Sequence, residues 1–168
     1  MTEFLEEAEL NQGAVLRFFR KDHRKLKQTI GKLSESQILN DIVMGDWTVK
    51  DIIAHIAAWN WEIAKSIDEV LERKAPWYLI KGETAFNMAE VAKRRDWPLS
   101  RVLEEWEQSF DSLIHRIEEI SAEEWGFETG LFWTDGSVVT IESLFRYRYR
   151  GEGHEGGHAL QIQEYYSL

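Results

Sequence analysis

Three histidines stand out as groups whose type and spacing could do chemistry: His154 and His158 near the carboxyl end of the 168-residue chain, and His55 far upstream. On an α-helix, residues four apart are displaced by about 40° around the axis and one turn along it, so His154 and His158 point the same way and can bind one cation. The spacing alone is a weak motif. His55 strengthens it, because it lies beside an apolar stripe, one turn before Trp59 and two turns before Glu62 on nearly the same face. A lone inward histidine is more often a hydrogen-bonded core residue than a ligand. One that faces a pair from another helix completes a set of three nitrogen donors, which leaves coordination positions open as catalytic sites do. If the metal is zinc, a bound water could be acidified to a pKa near about 7.

The glycines around the pair fit such a site. Gly151, Gly153, Gly156 and Gly157 fall inside a predicted helix, where each costs roughly 0.8 to 1 kcal/mol relative to alanine. Metal coordination or the close approach of another backbone would offset that cost; the plain alternative is a loop bearing unrelated surface histidines. His154-Glu155-Gly156-Gly157-His158 also satisfies the H-E-x-x-H pattern of metalloproteases, with Glu155 as general base. That reading ranks low, because Glu164 is the one carboxylate after His158 and no substrate cleft with a strand edge is predicted. Glu155 and Glu62 remain the candidates for moving a proton at the metal.

No cysteine is present, so any sulfur nucleophile has to arrive as a co-substrate. Asp22 and Glu62 lie on mostly apolar faces and could orient a ligand histidine, or pair with a nearby arginine. Arg146, Arg148 and Arg150 could steer an anion toward the metal, yet arginines spaced by two cannot share a helical face, and balancing the acidic surface is the stronger reading. His23 and His115 have no partner at ligand spacing and read as solvated. Most of the eight tryptophans should fill core, although some could line an apolar pocket.

Four long helices must position these groups. Over residues 12–33, Val15, Phe19, Leu26, Ile30 and Leu33 recur at helical spacing. Thr48 and Asp51 resemble a cap for a second helix, whose stripe of Ile52, Ile56, Trp59, Ile63, Ile67 and Val70 continues toward Pro76. The connector over 77–97 is irregular, with a short helix at 87–95 as an option. Pro98 suits a first helical turn, and Leu99, Val102, Leu103, Trp106, Phe110, Leu113, Ile117 and Ile120 mark a third helix to about Glu119. Thr134-Asp135-Gly136-Ser137 is a turn signal, so a small hairpin or irregular loop precedes the last helix. Thr140 could cap that helix. Its face reads Leu144, Tyr147, Gly151, His154, His158, Ile162 and Tyr165, and this longer pattern outweighs the strand-like alternation over 145–150. The expectation is an all-α four-helix bundle with a metal site built from facing helices, in one domain over residues 1–168.

Hydrophobic residues make up 43% of the chain, enough for one sizeable core. The formal net charge of −10 repels phosphate backbones, which argues against nucleic acid. The start, MTEFLEEAEL, lacks a basic, apolar secretory signal, and no apolar run of about eighteen residues occurs. A cytoplasmic location with no membrane partner is expected.

Trp47-Thr-Val-Lys-Asp-Ile-Ile-Ala-His55-Ile-Ala-Ala-Trp59, followed by His154-Glu-Gly-Gly-His158-Ala-Leu-Gln-Ile162, resembles the DinB-like (DinB/YfiT) superfamily over nearly the whole chain. The resemblance implies an up-down-down-up four-helix bundle, often a homodimer, with His55, His154 and His158 as ligands of a divalent ion, zinc or nickel ahead of iron or manganese. Relatives of that kind include S-transferases using bacillithiol, mycothiol or glutathione, a maleylpyruvate isomerase and metal-dependent hydrolases. Phe86-Asn87 through Trp106 and the Ser121-Ala-Glu-Glu-Trp125 turn are also similar to the colibactin self-protection branch of related bundles, which generally lacks the second histidine pair. The leading expectation is an enzyme whose three-histidine metal activates water or a low-molecular-weight thiol toward a small electrophilic substrate. The contrasting one is a non-catalytic bundle that binds a small molecule and needs no metal.

Overall fold

The structure is a computed structural model that describes residues 10–168; the amino-terminal stretch read for a secretory signal lies outside them apart from Leu10. The described elements are α1 (Gln12–Ile30), α2 (Glu35–Asn40), a hairpin of β1 (Ile42–Met44) and β2 (Trp47–Thr48), α3 (Val49–Leu71), α4 (Thr84–Arg94), α5 (Leu99–Glu118), α6 (Ala122–Trp125) and α7 (His154–Tyr166). Single 3-10 turns occupy Trp77–Leu79 and Glu142–Phe145. Among the described residues no helix is long and apolar enough to cross a membrane.

Local chemistry sets the phase of each long helix. The Asn11 side chain accepts from Ala14 N at 2.9 Å to start α1. Gln12 then donates to Ile117 O at 2.6 Å and Ile120 O at 2.8 Å, fastening this end to the end of α5. Thr48 and Asp51 form a reciprocal capping box at the head of α3, with Asp51 N to Thr48 Oγ1 at 3.2 Å and Thr48 N to Asp51 Oδ2 at 3.1 Å. One turn after Asp51 comes His55, so the cap fixes the face on which that imidazole emerges.

Side-chain bonds give the helix directions. Asp22 and Thr29 of α1 bond Gly153 N at the head of α7 and Gln163 within it, so α1 and α7 run parallel. Asn60 and Asp68 of α3 bond Ser109 and Arg116 of α5, which makes that pair parallel too. Gln12 near Ile117 and His23 near Glu107 set α1 against α5, and the bundle is up-down-down-up as the resemblance implied. Parallel neighbours need a crossover. Residues 72–98 supply it, and α4 within them packs on α3, where Trp59 Nε1 donates to Asn87 Oδ1 at 2.7 Å.

Two apolar clusters fill the bundle. One gathers Leu26, Ile52, Ile56, Val102, Trp106 and Ile162; the other gathers Val15, Ile67, Val70, Leu113, Ile117, Val139 and Ile141. The helical stripes of the sequence supply the first, and with Val139 and Ile141 from the segment before α7 they complete the second.

The last helix departs from expectation. It begins at His154, whereas residues 146–153 are not helical. Thr140 caps only the short 3-10 turn, accepting from Ser143 N at 3.1 Å. Beyond it, Tyr149 and Glu152 pair as a minimal antiparallel bridge around Arg150 (φ 53°) and Gly151 (φ 83°). Positive φ at both central residues is what a two-residue type I′ turn requires, and no right-handed helix passes through it. The expected turn at 134–137 is present, with Phe132 bridged to Val138.

Candidate metal centre

The antiparallel packing of α3 against α7 brings His55, His154 and His158 together, with one ring nitrogen of each within 4.8 Å of the others. His55 Nε2 lies 2.9 Å from His154 Nε2, and His158 Nε2 lies 3.2 Å from the same atom. At zinc–nitrogen lengths of about 2.0 to 2.1 Å, two ligands at a tetrahedral angle stand about 3.3 Å apart, and two at a right angle about 2.9 Å. Both spacings measured from His154 fall in that interval.

The protonation chemistry suits ligation. Burial pushes His55 down to about 3, with the His158 charge adding to the fall. Burial also lowers His158 to about 4, and holds His154 well below its ordinary value, with the other two rings contributing. All three imidazoles are therefore neutral at pH 7, the state in which they coordinate metals. His158 Nδ1–H donates to Gln161 Oε1 at 2.8 Å, which fixes the tautomer and leaves the Nε2 lone pair aimed at the cluster. Neutral rings this close can share a proton pairwise, whereas a divalent ion between them would engage all three nitrogens at once, so the donor set fits such an ion.

Two aromatic rings flank the centre. Trp47 of β2 packs at 5.0 Å on His55, and Tyr147, 61% exposed, meets the His154 ring edge at 6.1 Å. Further along α3, Trp59 contacts Trp77, Tyr78 and Phe86 of the crossover.

The two candidate carboxylates lie elsewhere. Glu155 is buried, with Oε2 at 2.8 Å from His23 Nδ1 and Oε1 accepting from Trp106 Nε1 at 3.0 Å and Asn60 Nδ2 at 3.3 Å. Successive helical residues differ by about 100° in direction, so a carboxylate held there faces away from its neighbour His154. Glu62 accepts from Trp77 Nε1 at 2.7 Å and pairs with Lys65, part of the aromatic wall.

His23 corrects the sequence reading: it is buried, not solvated, and stacks on Phe110 at 3.7 Å. Burial lowers its pKa, but the Glu155 hydrogen bond and the Glu155 and Glu107 charges overcome this and raise it. Its place four residues after Phe19 on the apolar stripe was the available signal. His115 is exposed, beside Glu119 at 3.3 Å.

Asp22 orients no histidine. It accepts from Gly153 N at 2.7 Å, and its carboxylate lies where a Cβ on Gly153 or Gly156 would collide, at 2.8 and 2.6 Å. Two of the four glycines thus make room for a side chain of α1, while Gly151 serves the turn. The arginines fan apart. Arg146 pairs with Glu142, Arg150 with Glu164, and Arg148 bonds Phe145 O and Tyr147 O.

The family described as Mycothiol maleylpyruvate isomerase N-terminal domain matches residues 19–146. No curated protein matches the chain. Among solved structures, the mycothiol-dependent maleylpyruvate isomerase superposes with a TM-score of 0.70 at 17% identity, covering 90% of this chain and 60% of that one. The chain thus spans 60% of that protein's length. An uncharacterised protein from Escherichia coli UTI89 aligns with a TM-score of 0.72 at 11% identity over 93% of this chain and 92% of its own. A Streptococcus pneumoniae protein gives 0.72 at 12% identity, over 94% and 91%.

Proposed function

Because the chain belongs to the mycothiol maleylpyruvate isomerase N-terminal domain family, within the DinB/YfiT-like superfamily, we propose that it is a metal-dependent enzyme that brings a low-molecular-weight thiol to a small electrophilic substrate. The observation that carries this reading is the convergence of three Nε2 atoms from two antiparallel helices. His55, His154 and His158 would hold the ion, with zinc and nickel the best matches to an all-imidazole set. When bound, the metal supplies Lewis acidity that lowers the pKa of a coordinated thiol or water toward neutrality.

The chain's own residues do the rest. Gln161 holds His158 in the coordinating tautomer, and Trp47 braces the His55 ring. The sulfur has to come from outside because the protein has no cysteine. Glu155 is held on the core face by His23, Asn60 and Trp106 and would not reach the ion, while the half-open Tyr147 ring beside His154 marks the solvent side of the site. Glu62 braces the wall through Trp77.

The test is a metal titration followed by paired assays. One divalent ion per chain is expected, lost in His158→Ala, together with thiol transfer to a small electrophile that stops on chelation. Uptake unchanged in His158→Ala removes the ligand set. Rates indifferent to chelator instead favour a bundle that binds a small molecule without a required metal.

A further inference from the structure

The turn bearing His154 and His158 carries Gly153, Gly156 and Gly157, which pack on Asp22 and Tyr149 and leave few side chains of its own to set its rotation. Asp22 fixes its head through Gly153 N, and Glu155 is placed to fix its rotation from the core side: it is buried, with 6% of its surface exposed. Its three partners are His23 on α1, Asn60 on α3 and Trp106 on α5, one from each of the other long helices. Those partners are themselves fixed. His23 is stacked on Phe110 and bonded to Glu107 at 3.3 Å, and the Asn60 amide also donates to Ser109 Oγ at 3.3 Å. Asn60 lies five residues after His55, so the Glu155–Asn60 bond joins the helix of one ligand to the turn of the other two.

We propose that Glu155 is a positioning residue of the three-histidine centre: by gathering one donor from each of α1, α3 and α5, it locks the rotation of the first turn of α7 and so sets the His154 and His158 nitrogens against His55. The proposal rests on reading the histidines as a metal centre. The lock is geometric, because fixing the direction of residue 155 also fixes that of residue 154, about 100° away on the same turn. Outer partners that orient ligands in this way typically change metal affinity by roughly ten- to a hundredfold.

Cobalt(II) alone is the probe, read by titration and by its visible absorption. The expected result is one cobalt per chain in the parent protein and roughly ten- to a hundredfold weaker binding with a shifted band in Glu155→Ala. Glu155→Gln, which keeps an acceptor for Trp106 and Asn60, should recover the parent band. Leu113→Ala, in the other core cluster, should lower thermal stability without moving affinity or spectrum. Parent-like cobalt binding in Glu155→Ala overturns the proposal, and so does equal weakening in Leu113→Ala. Should Glu155→Ala fail to fold, Trp106→Phe replaces it, with a shifted band expected and an unchanged one overturning the idea. Failure of the metal reading looks different: the parent takes up no cobalt, or His158→Ala takes up as much as the parent.

Discussion

His55 Nε2 lies 2.9 Å from His154 Nε2 although 99 positions separate the two residues. The approach depends on α3 and α7 running antiparallel with their histidine faces in register. Two neutral nitrogens at that distance gain little from each other beyond one shared proton, and a cation between them gains from both.

Metal should therefore stabilise the fold. A ligand at a hundred times its dissociation constant adds about 2.7 kcal/mol, which in a domain of this size moves the melting temperature by roughly 5 to 10 °C. His158→Ala should lose most of that shift. Thermal melts with and without zinc decide it, and equal shifts in parent and variant would exclude His158 as a ligand.

The three longest helices were legible in the sequence because each carries an apolar stripe over several turns, broken in α1 only at Asp22, and His55 could be placed because it lies beside one. The pair at 154 and 158 needed only its own helix. What escaped depended on contacts distant in sequence. Gly151 fell by coincidence on the helical face of the last segment, which hid the turn that stops the helix there. His23 read as solvated because it has no partner at ligand spacing, and its carboxylate partner lies 132 residues away. The crossover followed from parallel α3 and α5, a relation no local pattern encodes.

Asp22 should make stability fall as pH rises from about 4 to about 6. Burial, followed by the hydrogen bond with Glu152, raises its carboxyl from 3.8 to about 6, so the folded state keeps a proton that the unfolded chain has released. That contribution is full below pH 3.8 and is lost as pH passes through about 6. Glu152, held down to about 2 by Lys25 and Lys21 despite its burial, contributes fully above pH 4.5 and loses that contribution as pH falls toward about 2, so above pH 4.5 the Asp22 effect stands apart from it. Asp22→Asn keeps an acceptor for Gly153 N without a buried charge. It should flatten the profile between pH 4 and 6 and raise stability at pH 7 by about 1 kcal/mol. Urea denaturation across pH 4 to 7 measures both, and parallel curves for parent and variant would count against a proton on Asp22.

Gly156→Ala should destabilise, although alanine in a helix interior ordinarily gains about 0.8 to 1 kcal/mol over glycine. A Cβ there would lie 2.6 Å from Asp22 Cγ, a collision with a buried carboxylate that would have to give up its bond from Gly153 N to move. A loss of about 2 kcal/mol is expected. Adding Asp22→Ala should restore most of it, and a double-mutant cycle reads the coupling directly. Additive losses would mean that the two residues do not share that space.

Gly151 gives the opposite test, since a Cβ there meets nothing within 4 Å but the backbone sits at φ +83°. Any loss in Gly151→Ala is therefore conformational, at about 1 to 2 kcal/mol for a left-handed L-residue. Asparagine tolerates that region better because its short side chain bonds locally, so Gly151→Asn should lose less than half as much. The turn also delivers the chain to His154 three residues later, and Gly151→Ala should consequently weaken metal uptake more than Gly151→Asn does. Thermal melts with and without zinc test both statements. Equal losses for alanine and asparagine would place the cost of substitution outside the turn geometry.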